Sequence, residues 1–174
     1  MKKLMTLLLV FLLPAISSAQ EDIKQVAVDF EIRNLGFTVN GTFNKTVVKI
    51  VKDTKASHVS LSGQAFTKSI NTGNHQRDSD LQEDKYFNET EYPQITVETS
   101  AFELSGNYQK DISLRVTIKG VLKNIPGTLQ LKSTATTKKI QINFKLNRQD
   151  FNVGGSSFLM SKDVTVQVSA MVNN

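Results

Sequence analysis

The stretch Asp163-Val164-Thr165-Val166-Gln167-Val168-Ser169-Ala170-Met171-Val172 decides the fold. Apolar residues occupy every second position from Val164 to Val172, and Asp163, Thr165, Gln167 and Ser169 alternate with them. Such a period of two places the apolar residues on one face of an extended chain. The stretch therefore predicts a β-strand with one buried face.

The same alternation recurs through most of the chain. It is clear from Val26 to Ile32 and from Ile112 to Ile118. Weaker alternation predicts further strands over residues 39–51, 58–67, 95–104, 122–131 and 140–146. Together with the last strand these segments make eight.

One short helix interrupts the strands, between Asn74 and about Tyr86. Asn74 is a suitable N-cap, and Asp78 and Asp80 place negative charge near the positive end of the helix dipole. A single short helix cannot cover eight strands, so the sheet must cover its own apolar face.

Short connections and one polar face along every strand favour an all-β fold, an eight-stranded antiparallel up-and-down barrel with the helix between strands 3 and 4. The interior of such a barrel is filled by side chains or holds one small ligand. Segments of about eleven residues span roughly 35 Å, which favours an extended apolar ligand. An Ig-like sandwich is the alternative fold.

The N-terminus predicts export. Met1-Lys2-Lys3 precedes an apolar run from Leu4 to Leu13, and small residues lead to Ala19. This run is shorter than the ~20 residues that span a bilayer, so residues 1–19 are predicted to be a signal peptide cleaved near Ala19. Residues 20–174 then form a single domain, periplasmic or secreted from a bacterium, without stable membrane insertion.

Composition excludes several classes of protein. The chain has no cysteine, which rules out disulfides, thiolate metal sites and a lipid-modified N-terminal cysteine. The formal net charge is +5, of which Lys2 and Lys3 contribute two charges. Nucleic-acid binding is not expected, because the chain has no dense stripe of basic residues interleaved with aromatic residues. Catalysis rests only on His58 and His75, whose spacing suits no metal site, so neither an enzyme nor a metal or cofactor is expected.

Two arginines stand beside turns, Arg77 next to Asp78 and Arg148 two residues before Asp150. An arginine fork can grip a carboxylate or a row of carbonyl oxygens. Each arginine can therefore pin the helix or the last hairpin to the barrel rim, or contact the head group of a ligand at the mouth.

Three blocks of sequence resemble the YceI-like family. They are FEIRNLGFTVNGTF at 30–43; INTGNHQRDSDL at 70–81 with YFN at 86–88 and YPQI at 92–95; and VTIKGVLK at 116–123 with LNRQDFNVGG at 146–155. The resemblance implies a lipocalin-like barrel, exported to the periplasm, that holds a polyisoprenoid lipid in its apolar interior and carries no catalytic residues. Asn34 departs from the family, which frequently has histidine at this position.

The resemblance implies an isoprenoid ligand of the quinone or polyprenyl phosphate type, held for transport or storage, and it allows a homodimer. Alternation along the strands supplies the candidate lining residues. These are Phe30, Ile32, Val39, Phe43, Leu61, Ile95, Val97, Leu114, Val116, Ile142, Phe144, Val166 and Val168. The alternative hypothesis is a barrel with a filled interior that meets a protein partner, for example in a stress response, and binds no small ligand.

Overall fold

A computed structural model describes residues 23–52 and 58–173. The described part contains one α-helix, α1 (His75–Gln82), two 3₁₀ turns (Thr67–Ser69 and Arg148–Phe151) and eleven strands. The strands are β1 (Ile23–Asn34), β2 (Phe37–Phe43), β3 (Thr46–Lys52), β4 (His58–Phe66), β5 (Ile70–Asn71), β6 (Gln94–Thr99), β7 (Phe102–Glu103), β8 (Tyr108–Ile118), β9 (Val121–Ser133), β10 (Thr137–Asn147) and β11 (Met160–Asn173). The signal peptide predicted to end near Ala19 lies outside the described residues.

The strands form one antiparallel sheet in the order β3-β4-β6-β8-β9-β10-β11-β1-β2-β5, with β7 paired to β4. The sheet curls until Cα atoms of β1 and β3 approach within 8 Å. Within the described ranges no backbone ladder joins these two strands. The all-β antiparallel prediction is confirmed, and the predicted closed barrel is corrected to a half-barrel with a lipocalin-like curl.

The predicted count of eight strands is wrong because three of the predicted segments are divided or extended. Residues 39–51 break at Asn44 and Lys45, whose backbone N–H groups bond to Ser69, in the first 3₁₀ turn, at 2.9 and 3.0 Å. Residues 95–104 break after Thr99 into β6 and β7, and β5 follows the third segment. The helix therefore lies between β5 and β6, not between the third and fourth strands.

The helix α1 is stabilised by its first residues. The Asn74 side chain accepts a hydrogen bond from Arg77 N at 3.0 Å, which confirms the predicted cap. None of its eight residues is fully buried, although Leu81 packs against Phe43 and its neighbours. The helix thus covers only one end of the sheet. Within the described ranges, no helix is both long and apolar enough to span a bilayer.

The two ends of the half-barrel differ in how they are filled. At the end where β1 begins and β9 turns into β10, here called the closed end, large side chains fill the interior. Leu114, Leu129, Leu131, Ile140, Phe102 and Val172 are all fully buried there. At the opposite end, here called the open end, lie the β1–β2 turn, α1, the β8–β9 turn and residues 148–159. Interior valines such as Val164 and Val166 are only half-buried at this end.

Leu114→Ala tests the contribution of the closed end. The side chain is 0% exposed, so its truncation should lower the free energy of unfolding by about 2–5 kcal/mol through lost burial and a residual cavity. Leu122→Ala is the matched control, because Leu122 is 50% exposed and its truncation should cost less than about 0.5 kcal/mol. Guanidinium denaturation of both variants measures the difference, and equal losses would contradict the assignment.

Candidate ligand-binding cavity

A cavity of about 190 Å³ occupies the open half of the interior. Four of the five long strands mark its floor, since on each of them one inward residue lines the cavity and the next toward the closed end does not, whereas no residue of β9 is among the lining residues. The lining and non-lining pairs are Val28 and Val26 on β1, Val116 and Leu114 on β8, Ile142 and Ile140 on β10, and Val168 and Ala170 on β11. The cavity is therefore a pocket with a packed floor and an opening at one end.

Aromatic side chains form one wall of the cavity. Phe30 lies flat over Gly41, its direct partner across the β1–β2 ladder, and a Cβ atom at Gly41 would come within 2.2 Å of Phe30 Cζ. The Phe30 and Phe43 rings have centroids 5.7 Å apart, and Phe43 meets Phe87 edge-on at 6.3 Å. Glycine at position 41 thus lets the Phe30 ring rest against the wall and leaves the interior open.

The structure places most of the predicted lining residues around this cavity. Phe30, Ile32, Val39, Phe43, Leu61, Ile95, Val97, Val116, Ile142, Phe144, Val166 and Val168 line it. Leu114 does not, because it lies one inward position below the floor and packs in the closed end. The alternative hypothesis of an interior filled by side chains fits the closed half of the half-barrel but not the open half, which contains the cavity.

Several lining residues come from segments that strand periodicity does not address. Leu81 belongs to α1, Tyr86 and Phe87 follow it, and Val153 lies in the connection before β11. Tyr86 and Phe87 belong to one of the blocks that resemble the YceI-like family, which was the available signal. Nothing in the spacing of Val153 indicated an inward side chain.

Arg77 lies at the open end of the cavity and ties α1 to the sheet. Its Nε donates to Thr72 Oγ1 and its Nη2 to Thr72 O, both at 2.8 Å. The Asp78 carboxylate accepts from Thr72 N at 2.9 Å and from Thr72 Oγ1 at 2.5 Å. Both predicted roles are geometrically compatible, since Arg77 pins the helix and also lines the cavity.

Arg148 lies at the same end and is almost fully buried, with 4% of its surface exposed. Its Nη1 donates to Val153 O at 2.6 Å and Gly155 O at 2.7 Å, and its Nε donates to Ser161 O at 2.8 Å. Its Nη2 donates to Met160 O at 3.3 Å. The guanidinium therefore holds the connection between β10 and β11 in place through carbonyl oxygens.

The charge of Arg148 is not matched by a carboxylate, since the described part of the chain gives it no ion pair. Burial lowers the pKa of Arg148 from its usual value, and Tyr86 partly offsets that shift. No Asp or Glu is among the lining residues that the structure describes. The cavity is thus apolar inside, with two guanidinium groups at its opening and the Asp78 carboxylate bonded to Thr72 beside Arg77.

The two histidines do not meet. His58 pairs with Glu103 of β7 at the closed end, whereas His75 begins α1 at the open end. Among the described residues, no three His, Asp or Glu side chains are grouped so that they could hold a metal ion.

Comparison with known proteins identifies the family. The family model for the YceI-like domain matches residues 19–172. A search of curated protein sequences gave no match.

Several solved structures share this fold. Burkholderia cenocepacia BcnA is similar with a TM-score of 0.76 at 18% identity, over 86% of this chain and 99% of that one. A polyisoprenoid-binding domain from Saccharophagus degradans, implicated in plant cell wall breakdown, has a TM-score of 0.69 at 17% identity, over 88% and 97%. The Campylobacter jejuni YCEI protein has a TM-score of 0.66 at 26% identity, over 78% and 85%.

Arg148→Lys tests the carbonyl clamp. An ammonium is a single donor point and cannot reach carbonyls spread from Val153 to Ser161, so the free energy of unfolding should fall by about 1–3 kcal/mol. Arg115→Lys is the control, since Arg115 makes one exposed ion pair with Glu98 at 3.1 Å and should change stability by less than about 0.5 kcal/mol. Urea denaturation compares the two, and an unchanged midpoint for Arg148→Lys would refute the clamp.

Proposed function

Since the chain belongs to the YceI-like domain family, we propose that its cavity binds the hydrocarbon tail of an isoprenoid lipid. The Saccharophagus degradans neighbour, which shares the fold, is described as a polyisoprenoid-binding domain. Binding of the same class of lipid by this chain is the function that its interior supports best.

One observation carries this proposal: an apolar cavity with a packed floor opens at one end of the half-barrel. Its wall consists of side chains such as Val166, Val168 and Phe144, which have no hydrogen-bonding groups to satisfy. Transfer of each methylene of a lipid tail from water into such a wall contributes about 0.8 kcal/mol, before the cost of association. A polar molecule without an apolar part would gain no burial free energy from this interior.

The opening favours an anionic head group. Arg77 and Arg148 both line the cavity there, and no carboxylate among the described lining residues opposes them. A guanidinium carries five N–H groups, and Arg148 uses four of them on carbonyl oxygens, which leaves one on Nη2 for a ligand. We therefore favour a polyprenyl phosphate over a quinone.

Binding rather than catalysis is the activity that we assign. The lining residues that the structure describes include no His, Cys, Ser, Asp or Glu, and the Thr72 hydroxyl is engaged by Asp78 and Arg77 in the tie between α1 and the sheet. The predicted signal peptide at residues 1–19 supports a periplasmic location, where a soluble carrier could hold the lipid for transport or storage.

Val166→Phe should block the cavity. Val166 lines the wall on β11, and a phenyl ring at this position would fill space that the lipid tail needs. Native mass spectrometry of wild-type protein purified from its periplasmic fraction should show one bound isoprenoid per chain, and organic extraction of the same sample should identify it. The variant should carry at least roughly tenfold less lipid.

Thr165→Phe provides the matched control, because Thr165 is the exposed neighbour on the same strand and adds the same ring outside the barrel. It should retain the lipid. An apo wild type that also ignores added polyprenols would reject the proposed function, as would full lipid occupancy in a folded Val166→Phe variant.

Arg77→Gln tests the head group. Loss of the charge at the opening should weaken binding of a short-chain polyprenyl phosphate by roughly tenfold and leave the matching neutral polyprenol unchanged. Arg115→Gln removes an exposed charge from the outer face and should affect neither ligand. Titrations followed by native mass spectrometry give both affinities, and equal losses for phosphate and alcohol would exclude head-group recognition by Arg77.

A further inference from the structure

Four large apolar side chains are exposed together at the open end. They are Leu35 at 60%, Phe37 at 75%, Phe158 at 109% and Leu159 at 61% exposure, and we call them the apolar tip. A soluble monomer rarely exposes a contiguous group of this kind unless the surface meets a partner.

Backbone contacts join the two loops of the tip into one surface. Leu35 N donates to Leu159 O at 2.7 Å. Asn34, the last residue of β1, pairs with Phe37 on one side and with Met160 on the other. The tip is therefore the shared end of β1, β2 and β11.

The turn that carries Leu35 is strained for this residue. Leu35 has φ 53° and Gly36 has φ 81°, so both central residues of the two-residue hairpin turn are left-handed. Asn-Gly is the usual choice at these positions, because the Cβ of a leucine disfavours the left-handed region. Neither folding nor solubility explains an exposed leucine in this conformation, which points to a function.

Basic residues flank the tip. Residues 32–41 and 151–162 contain no Asp or Glu and contribute exposed Arg33 and Lys162. The acidic residues nearest to the tip in the chain are Glu31 and Asp163, of which Asp163 is paired with Lys145 at 2.9 Å. Apolar and aromatic side chains flanked by basic residues match the surface of an anionic bilayer, in which rings lie at the head-group level and cations meet lipid phosphates.

The tip also adjoins the opening of the cavity. Asn34 and Met160 line the cavity and directly adjoin Leu35 and Leu159 in the chain, and Val39, also a lining residue, lies two residues from Phe37 on β2. A surface on which the tip rests would therefore lie directly over the opening.

We propose that the apolar tip docks the protein on an anionic lipid bilayer, with Phe37 and Phe158 inserted among the head groups. A lipid tail can then pass between bilayer and cavity without crossing bulk water. Docking stands on the tip residues alone, whereas its role in loading the cavity rests on the proposed function.

Sedimentation with vesicles tests the docking surface. Wild-type protein should bind vesicles of phosphatidylglycerol and phosphatidylethanolamine, bind phosphatidylcholine vesicles less, and be released by salt that screens Arg33 and Lys162. The double variant Phe37→Ser/Phe158→Ser should lose roughly tenfold or more of its vesicle partitioning. Val51→Ser/Met171→Ser removes two exposed apolar side chains remote from the tip and should bind as the wild type does.

Two results would overturn docking: wild-type protein that stays in the supernatant, or a tip variant that sediments as fully as the control. Light scattering tests whether a second copy of the chain covers the tip instead. A wild-type dimer that becomes monomeric in the tip variant, while the tip variant still binds vesicles, would also overturn docking.

Geranylgeraniol binding without vesicles separates the two proposals. The tip variant should retain this binding, because Phe37 and Phe158 do not line the cavity. Wild-type protein that sediments with vesicles but takes up no geranylgeraniol would sustain docking and reject the proposed function.

Discussion

The fold depends on one constraint, which is that an antiparallel sheet with a single apolar face must cover that face itself. The helix α1 has eight residues, none of them fully buried, and cannot do so. The sheet therefore curls until β1 approaches β3, and the inward residues of all the long strands meet in one interior. Whatever those residues do not fill is left as a cavity open to solvent or to a ligand.

The interior closes where inward side chains meet across it and not simply where they are large, since Phe144 and Leu146 line the open half and Ala170 lies in the closed half. Leucine and isoleucine at positions such as Leu129, Leu131 and Ile140 fill the closed end, where they are 0–1% exposed. Toward the open end the same face of β11 carries Val168, Val166 and Val164, and Gly41 lets Phe30 lie against the wall. The packed half can supply the stability that lets the other half remain unfilled, since a dry apolar cavity costs its lining lost contacts.

The segments around the opening have few strand partners, and hydrogen bonds from arginine and lysine side chains to backbone carbonyl oxygens hold them in place. Arg148 gathers carbonyl groups from Val153 to Ser161, and Arg77 does the same at Thr72. Lys119 donates to carbonyl oxygens of Asp84 and Asn152 from the β8–β9 turn. Arg148 is held by carbonyl oxygens, which do not neutralise its charge, whereas the Thr72 hydroxyl that Arg77 contacts also donates to the Asp78 carboxylate.

Period-two alternation predicted the long strands well, because residues such as Val164 to Val172 have one buried and one exposed face. It could not show that Leu114 lies below the floor and Val116 above it, since both point inward and only the height of the packed region separates them. Nor could it locate the breaks at Asn44 and after Thr99, which depend on hydrogen bonds to residues distant in sequence. The cap at Asn74 was predictable because it is local.

The open end brings together a strained leucine turn, an exposed aromatic loop, the buried Arg148 and half-buried Arg77 guanidinium groups, and an apolar cavity. Exposed apolar area and a left-handed leucine each carry a free-energy cost, whereas the desolvation cost of the buried Arg148 charge is offset by its four carbonyl partners. The exposed apolar side chains and the left-handed leucine lie at one end, while the closed end follows ordinary packing rules, and the proposed docking accounts for this asymmetry. A lipid tail that leaves a bilayer meets water unless an apolar surface adjoins it, and the tip supplies that surface beside Asn34 and Met160. On the proposed docking, the leucine turn and the aromatic loop would serve transfer of a lipid tail between a bilayer and the cavity.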